Sequence, residues 1–504
     1  MSFAKDLESQ LNVTRTGNGD ITHKTSLNNN LDLFYLSGGV RGSGYYEDIA
    51  TKAEDLVIIF KKAYEESPEL ALRNLLNIRD IRHDGKGERD LFVTLLNSLI
   101  PAHTKVVQNL IYSGAVPILG RWDDLVKLFA LQMDKGTEDS YFVCSAIASV
   151  FVSELYKINE DYSSLLPKWL PTNTRNVKTY KVAKKLATFM GFDDFRDYRK
   201  TVSALRKPLN LVESNLSQKD YDKIEISHIP SAAFQKYQTA LWRHRESQME
   251  AFLDAVQSGE KKVKTVGLTP DEIVHSIDEV YDNNNLAFYE ETWKQMVAET
   301  QDVGNTLVIA DVSGSMTGKP MEVSVGLALL FAEAMKGDFH NTFMTFSSHP
   351  SLIHIAPEMS LRDKLYYVRS GDWGFNTDID AAFQTILDTA ISNNTAPEEL
   401  PERLVIISDM QFDESSVGEP HIKRWKETFT LHGYKLPTVV YWNVSSYSNV
   451  PATSSEEGVA LISGFTKGTL NAVLNAEEIT PEKIMMESLM SPEYDFAEVA
   501  LSKY

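Results

Sequence analysis

The stretch Thr306-Leu307-Val308-Ile309-Ala310-Asp311-Val312-Ser313-Gly314-Ser315 decides the fold of the C-terminal part of this 504-residue chain. Its first five residues form an apolar run typical of a buried strand, and a helical pattern begins shortly after the loop that follows. Asp311, Ser313 and Ser315 therefore lie at the carboxyl end of a predicted strand, where open parallel α/β sheets bind ligands. Their carboxylate and hydroxyl oxygens are the ligands that Mg²⁺ prefers.

The sequence around this stretch alternates between strands and helices. Apolar runs near residues 342–346, 352–355, 404–408, 438–442 and 459–462 predict strands, and amphipathic segments between most of them predict helices. Alternation of this kind builds a mostly parallel sheet covered on both faces. We therefore expect an α/β doubly wound, Rossmann-like domain over residues 304–504, ending in C-terminal helices.

Two further oxygen groups follow predicted strands or loops of the same domain. Asp409 comes directly after the run 404–408, and Thr377 ends a Gly-containing loop just before a predicted helix. With Asp311, Ser313 and Ser315 they place five oxygen ligands on three loops, a set that suits one Mg²⁺ ion. The alternative is that the hydroxyl residues Ser313, Ser315 and Thr377 cap helices, as these residue types often do.

The N-terminal 300 residues show a different pattern. Residues 1–45 are rich in Asn, Gly, Ser and Thr, which predicts a flexible or extended arm. Residues 46–265 carry apolar positions at helical spacing, punctuated by proline and glycine, which favours an α-solenoid of paired helices, although no strict repeat is present. Residues 266–303 read as a helical connector to the second domain.

Composition limits the class of protein. No apolar stretch approaches the length of a membrane span and the N-terminus lacks the apolar core of a signal peptide, so we expect a cytoplasmic protein without a membrane partner. The single cysteine, Cys144, excludes an intrachain disulfide and a thiolate metal cluster. It lies in an apolar run, which predicts a core position.

Charge is distributed unevenly along the chain. The net charge of −20 argues against nonspecific nucleic-acid binding by the whole surface, yet residues 167–265 carry 19 basic and 11 acidic side chains, a local excess of +8. This excess indicates either a solvated helical surface or a patch for a polyanion. On charge clustering alone, the predicted RNA contacts are Lys178, Lys181, Lys184, Lys185, Arg199, Lys200, Arg206 and Lys207.

Catalytic motifs do not account for the loop at residue 313. Ser313 is not in a Gly-x-Ser-x-Gly elbow, and the sequence contains no His-Glu-x-x-His pair. The segment Gly314 to Pro320 differs from a phosphate-binding loop because three residues separate its glycines and proline replaces the required Ser or Thr. We therefore expect no enzymatic activity.

The set Asp311-x-Ser313-x-Ser315, Thr377 and Asp409 resembles the metal-ion-dependent adhesion site of von Willebrand factor type A domains over roughly residues 304–475. The resemblance implies that the two serines and Thr377 bind Mg²⁺ or Mn²⁺, directly or through water. It also implies that Asp311 and Asp409 bind mainly through water and that a carboxylate from a protein partner completes the coordination. The residues 373–376 before Thr377 replace the more usual double glycine.

The first 300 residues carry a second resemblance, to the TROVE module of Ro-type ribonucleoproteins. It implies a ring of HEAT-like helical repeats that binds structured or misfolded RNA. The whole chain is more similar still to a family catalogued as a domain of unknown function, which pairs the two modules from about residue 50 onward, so RNA binding is implied by analogy of architecture. The motifs that carry the resemblance are 75–80, 85–92, 120–125, 205–213, 229–231 and Arg243-His244.

Two functions follow from these observations. The first is a noncatalytic RNA-binding scaffold with a divalent-metal adhesion site that engages a partner. The alternative is a metal-dependent protein-protein interaction module without RNA binding, which the overall acidity favours. Arg89, Arg121 and Asp123 in the TROVE-like motifs are expected to form ion pairs between helices rather than to contact RNA.

Overall fold

The structure is a computed structural model, which describes residues 11–42, 49–158, 164–280, 283–345, 349–371, 377–414, 421–445 and 449–502. Within it the chain divides into two compact units, each of which is discontinuous in sequence. The α/β unit comprises Met1–Ser67, His83–Glu88 and Thr265–Met490. The helical unit comprises Pro68–Arg82, Arg89–Lys264 and Ser491–Tyr504.

The secondary structure of the described residues confirms a helical region followed by an α/β region. The strands are β1 (Val13–Arg15), β2 (Ile21–His23), β3 (Thr306–Ala310), β4 (Thr342–Thr345), β5 (Ser351–His354), β6 (Arg403–Ser408), β7 (Thr438–Asn443) and β8 (Val459–Ser463). The α-helices are α1 (Asn29–Leu36), α2 (Ile49–Glu66), α3 (Pro68–Arg79), α4 (Arg89–Ser113), α5 (Ala115–Leu119), α6 (Trp122–Gln132), α7 (Glu138–Ile158), α8 (Leu166–Trp169), α9 (Val177–Phe189), α10 (Phe195–Arg206), α11 (Val212–Gln218), α12 (Ser231–Gln257), α13 (Pro270–Glu279), α14 (Asn283–Ala298), α15 (Lys319–Ala334), α16 (Leu361–Ser370), α17 (Ile379–Ser392), α18 (His421–Leu431), α19 (Asn471–Asn475), α20 (Pro481–Leu489) and α21 (Phe496–Leu501).

The α/β unit is built on a six-stranded sheet of order β5-β4-β3-β6-β7-β8. All neighbouring strands are parallel except the edge pair β4-β5, which is antiparallel, so the expected mostly parallel sheet is confirmed. After β3 the chain first adds strands on one side of it and then returns to place β6 on the other. The adjacent central strands β3 and β6 therefore flank the point where the strand order reverses, which is the usual ligand position in such sheets.

The core of this unit forms because the middle of β3 and of β6 consists of apolar residues, Leu307–Ala310 and Leu404–Ile407. All five residues of β3 are buried, as are five of the six in β6. Helix α15 packs against β3 and contributes an almost continuous run of buried residues from Val323 to Ala332. Burial on both faces leaves the loops at the carboxyl ends of β3 and β6 as the polar edge of the sheet.

The N-terminal residues differ from the expected flexible or extended arm. Strands β1 and β2 pair as an antiparallel hairpin, and α1 is almost wholly buried within the α/β unit. Asn28 caps α1 by accepting a hydrogen bond from the amide of Leu31 at 3.0 Å. Polar composition predicted a loop here, but apolar residues such as Leu33 and Phe34 provide enough buried surface to order the segment.

The helical unit has α7 near its centre, packed against α4 and α6. In the described chain α7 is the one helix long and apolar enough to cross a membrane by length and composition. We interpret it as a core helix, because Val143, Ile147 and Phe151 are fully buried within the unit. Cys144 is buried beside them, as predicted, and burial raises the pKa of its thiol to about 12.

Ion pairs join the helices of this unit at three of the motif segments, 75–80, 85–92 and 120–125. Arg79 on α3 and Asp124 on α6 are buried, and Arg79 Nε lies 2.7 Å from Asp124 Oδ2. Arg89 Nη1 lies 3.8 Å from Asp123 Oδ2, so these two residues form an ion pair between helices, as expected. Arg121 instead places its guanidinium 5.6 Å from the ring centre of Trp169.

The C-terminal residues complete the helical unit rather than the α/β unit, in contrast to the expected boundary. Helix α21 packs against α3 and α4. The hydroxyl of Tyr494 donates to Asp80 Oδ2 and accepts from Asn77 Nδ2, both at 3.1 Å. Asn109 donates to the carbonyl of Ala500 at 2.9 Å, which fixes the end of α21 to α4.

Candidate metal centre

The loop after β3 brings three of the predicted ligands together. Asp311 continues the strand pairing, since its amide donates to the carbonyl of Ile407 at 2.9 Å. Its Oδ1 atom accepts from the amide of Ser313 at 2.9 Å, which folds the loop back over the carboxylate. The hydroxyls of Ser313 and Ser315 then lie 3.1 Å apart, Ser313 buried and Ser315 exposed.

The loop after β6 presents the second carboxylate. Asp409 is buried, and its Oδ1 atom accepts from the amide of Gln411 at 3.1 Å. Met410, between Asp409 and Gln411, adopts a left-handed backbone conformation with φ of 63°. This conformation is unfavourable for a residue other than glycine and often marks a functional site. Asp409 Oδ2 is also buried, and in the described part of the chain no hydrogen bond reaches it.

Ser408 links the two loops. Its hydroxyl donates to Asp311 Oδ2 at 2.5 Å and accepts from the amide of Met410 at 2.9 Å. Ala310 lies opposite Ile407 in the register of β3 and β6, so the next residues, Asp311 and Ser408, also lie side by side. The side chain of the last residue of β6 therefore orients the carboxylate that follows β3.

The electrostatics of the pair favour a cation. Burial and, after it, the negative charge of Asp409 raise the pKa of Asp311 to about 7. Burial also raises the pKa of Asp409, while the Ser315 hydroxyl, the Gln411 amide and the ammonium of Lys52 on α2 lower it. Two buried carboxylates that repel each other gain free energy when a divalent cation neutralises them.

Thr377 lies against the β6 loop. Its amide donates to Asp413 Oδ2 at 2.8 Å, and the amide of Asp413 donates back to the carbonyl of Thr377 at 3.1 Å. Thr377 is buried with an exposed fraction of 1%. The predicted departure from a double glycine, at residues 373–376, lies outside the described residues.

Helix capping does not explain the three hydroxyl residues. Helix α17 after Thr377 is capped by Asp378, whose carboxylate accepts from the amide of Ala381 at 2.9 Å. Gly318 occupies the capping position of α15. Ser313 precedes the 3-10 turn Gly314–Met316 but makes no side-chain capping hydrogen bond to it. The hydroxyls are thus left for another role.

A contact from the N-terminal hairpin completes the site and was missed in the sequence. Asn18 lies in the turn between β1 and β2. Its side-chain Nδ2 donates to Thr377 Oγ1 at 3.2 Å and to the backbone carbonyl of Gln411 at 2.7 Å. The Asn18-Gly19 pair is a common turn sequence between strands and could have predicted the hairpin. No local pattern could have predicted where that turn docks.

The residues present fit a hard divalent cation. They supply two carboxylates and three hydroxyls, together with a buried carboxylate oxygen that lacks a hydrogen-bond donor. No group of three or more His, Cys, Asp or Glu side chains that could hold a metal gathers anywhere in the described chain, and this edge itself offers only two carboxylates. A metal at this edge would therefore depend on the hydroxyls as much as on the carboxylates.

The predicted RNA contacts on α9 lie on its exposed side. Lys178, Lys181, Lys184 and Lys185 are all exposed, and Lys181 Nζ forms an ion pair with Asp134 Oδ2 at 2.6 Å. The buried face of the helix is Ala183, Leu186 and Ala187. The four lysines are thus free of the core packing of the unit and available to solvent.

Of the other four predicted RNA contacts, three are exposed and one, Arg206, is bonded to the backbone of the helical unit. Arg199, Lys200 and Lys207 are exposed, with Lys200 Nζ 3.7 Å from Asp197 Oδ1. Arg206 is only partly exposed. Its guanidinium donates to the carbonyls of Pro167 at 2.6 Å and Leu170 at 2.5 Å, at the C-terminal end of α8. Through these bonds Arg206 stabilises the helical unit.

Comparison with known proteins finds a matching family model for each of the two regions. The family model described as Domain of unknown function (DUF2828) matches residues 16–146 and 139–306, together more than half of the chain. The model described as Domain of unknown function (DUF7788) matches residues 305–498. A protein of Acanthamoeba polyphaga mimivirus, named uncharacterized protein L728, is 29% identical over 514 residues, which cover 95% of this chain and 87% of the viral protein.

Proposed function

The chain belongs to the DUF2828 family, and from this premise we propose that it is a noncatalytic scaffold with a divalent-metal adhesion site in its α/β unit. In this proposal Asp311, Ser313, Ser315, Thr377 and Asp409 bind Mg²⁺ or Mn²⁺, as in a von Willebrand factor type A domain. The observation that carries it is the buried Oδ2 of Asp409, which accepts a hydrogen bond from no described residue, together with the buried Asp311, whose pKa the charge of Asp409 helps to raise.

The bound ion would supply an open position for a carboxylate from a protein partner. Mg²⁺ retains exchangeable waters, and an exposed residue such as Ser315 places the coordination sphere at the surface of the unit. The two site carboxylates are themselves metal ligands in this arrangement, so neither is left as a general base. Binding rather than chemistry is the role that these groups support.

Titration calorimetry with Mg²⁺ and Mn²⁺ tests the metal site. Wild type should bind one ion, and Asp311→Ala and Thr377→Ala should each lose most of that affinity with circular dichroism unchanged. Asp388→Ala removes an exposed carboxylate on α17 that accepts only a local bond from Gln384, and serves as the control. Equal affinity in wild type and in both folded site variants would overturn the proposal.

We propose in addition that the helical unit binds RNA through α9, as its resemblance to Ro proteins implies. The specific observation is that Lys178, Lys181, Lys184 and Lys185 share the exposed side of one helix in a chain that is otherwise acidic. Phosphate contacts of this kind make affinity strongly dependent on salt. A HEAT-like ring and a preference for structured or misfolded RNA belong to the same proposal.

Charge reversal of these four lysines to Glu tests RNA binding. Wild type should bind a structured RNA at low salt, and the variant should bind it at least tenfold more weakly and with a shallower salt dependence. The matched control reverses four exposed lysines of the α/β unit, Lys24, Lys336, Lys435 and Lys483, with the same change in net charge. If both variants bind as wild type does, α9 is not the RNA-binding surface. If wild type itself shows negligible affinity at low salt, the protein is better described as a metal-dependent protein interaction module without RNA.

A further inference from the structure

The turn between β1 and β2 lies on the proposed metal site although it is nearly 360 residues from Thr377 in sequence. Asn18 contacts Thr377 Oγ1 directly, and its neighbours hold the loop after β6. The amide of Gly17 donates to Gln411 Oε1 at 2.6 Å, and Thr16 Oγ1 donates to the carbonyl of Phe412 at 2.7 Å. The turn is therefore anchored to the loop that carries Asp409.

Backbone pairing extends this anchor. Gly19 and Asp413 form an antiparallel bridge, and the amide of Glu414 donates to the carbonyl of Asn18 at 3.1 Å. Asp413 in turn exchanges hydrogen bonds with the backbone of Thr377. Hydrogen bonds thus connect the turn to the β6 loop and the β6 loop to Thr377. They fix the position of the threonine backbone independently of a metal.

The side-chain bond from Asn18 fixes the direction of the threonine hydroxyl as well. The orientation of the Asn18 amide is determined, because the carbonyl oxygen of Gln411 at 2.7 Å must face the NH₂ group. The second proton of that NH₂ group is directed to Thr377 Oγ1. A hydroxyl oxygen has two lone pairs, so the bond from Asn18 occupies one and leaves the other for a metal.

We propose that Asn18 is a positioning residue of the metal site, which holds the Thr377 hydroxyl as a direct ligand of the bound ion. This inference rests on the proposed metal site and adds a fourth chain segment to it. The amide does not contact the ion. Outer groups that orient a ligand in this way commonly change metal affinity by an order of magnitude when removed.

Mn²⁺ binding to the full-length protein tests the inference. Asn18→Ala should weaken Mn²⁺ binding about tenfold in calorimetry, in line with other ligand-orienting groups. In a double-mutant cycle it should have little further effect once Thr377 is replaced by Ala, since the two residues act through one bond. Arg15→Ala, which removes an exposed ion pair between the same hairpin and Glu414, is the matched control and should bind as wild type does.

Water-proton relaxation by bound Mn²⁺ separates positioning from a general loss of structure. If Thr377 leaves the coordination sphere, an exchangeable water replaces it, so Asn18→Ala and Thr377→Ala should show the same increase in relaxivity over wild type. An Asn18→Ala variant with the affinity and relaxivity of wild type, or with an effect that persists in the Thr377→Ala background, would overturn the role of Asn18. Absence of Mn²⁺ binding by wild type itself would instead overturn the metal site.

Discussion

The hydroxyl of Ser408 donates to Oδ2 of Asp311 at 2.5 Å, which joins the end of β6 to the residue that follows β3. Because the donor belongs to the sheet and the acceptor to a loop, the rigid part of the unit fixes the direction of a carboxylate at the site. Asp409, one residue after Ser408, is positioned by the same strand. The two carboxylates are thus held close together by the fold itself, and their mutual repulsion has consequences that can be measured.

Asp311→Asn should make the metal-free protein more stable at neutral pH. The folded-state pKa of Asp311 is raised to about 7, so the folded protein binds more protons than the unfolded chain between roughly pH 4 and 7, and wild-type stability falls over that window. The amide removes this loss, a gain of about 1–3 kcal/mol at pH 8.

Urea unfolding in the presence of a chelator at pH 5 and pH 8 measures the difference. Asp388→Asn is the control, since its carboxylate lies on the exposed face of α17. A profile for Asp311→Asn parallel to that of wild type would show that the buried pair does not set the pH dependence.

Lys86→Met should abolish a gain in stability at alkaline pH. Lys86 is buried and donates to Ser463 Oγ at 2.9 Å, to Ser37 Oγ at 3.2 Å and to the carbonyl of Phe34. Burial lowers its pKa to about 7. The unfolded chain therefore binds more protons above pH 7, and wild type should gain about 2 kcal/mol between pH 7 and 9.

The variant should fold because Ser463 Oγ also donates to the carbonyl of Phe34, at 3.1 Å, without the lysine. Thermal unfolding across this pH range measures the effect against wild type. An unchanged slope in Lys86→Met would mean that Lys86 remains protonated throughout.

His275→Gln should reduce stability below pH 6.5 and have little effect at pH 8. His275 Nδ1 lies 2.8 Å from Glu322 Oε1 and Nε2 lies 3.3 Å from Glu279 Oε1. The hydrogen bond to Glu322 raises the pKa of the imidazole, so its stabilising contribution is present at low pH and is lost as pH rises through the folded-state pKa.

The side chain is 51% exposed, so solvent screening limits the effect to about 0.5 kcal/mol. Urea unfolding at pH 5.5 and 8 measures it, with His432→Gln, directly after α18, as the control. A loss of equal size at both pH values would assign the effect to packing.

Gly120→Ala should destabilise the helical unit by about 3 kcal/mol or more, because overpacking cannot be relieved there. An added Cβ would lie 2.5 Å from Asp124 Oδ2, 2.7 Å from Arg79 Nε and 2.9 Å from the carbonyl of Val116. Gly136→Ala is the comparison, since its Cβ meets nothing within 4 Å and only its φ of 69° opposes the change, at about 1–2 kcal/mol. Equal losses from the two substitutions, measured by chemical unfolding, would contradict this account.

The sequence predicted the α/β sheet and its polar edge well, for a physical reason. Strands β3 and β6 are buried on both faces, so each reads as a continuous apolar run that ends in an Asp. Position at the end of such a run is a local property. The proximity of Asp311 and Asp409 then follows from the rule that carboxyl ends of parallel strands meet at one edge.

The boundaries of the units could not be predicted in the same way. Lys86 lies in the loop between α3 and α4 of the helical unit, yet it is buried in the α/β unit. Tyr494 follows α20 of the α/β unit, yet it is buried in the helical unit. Asn18 likewise gains its role from a docking contact and from nothing in its own neighbourhood. Contacts between residues hundreds of positions apart leave no periodicity in sequence, so pattern analysis assigns such residues to the nearest element.

The attachment of Ser491–Leu501 to α3 and α4 has a consequence for biosynthesis. During translation the ribosome completes the whole of α20 and every strand of the sheet before it adds the segment that finishes the helical unit. Until then Asn77 and Asn109 lack the bonds that they make to Tyr494 and Ala500. The helical unit, which begins with α3, is therefore completed only after residues 491–501 have been synthesised.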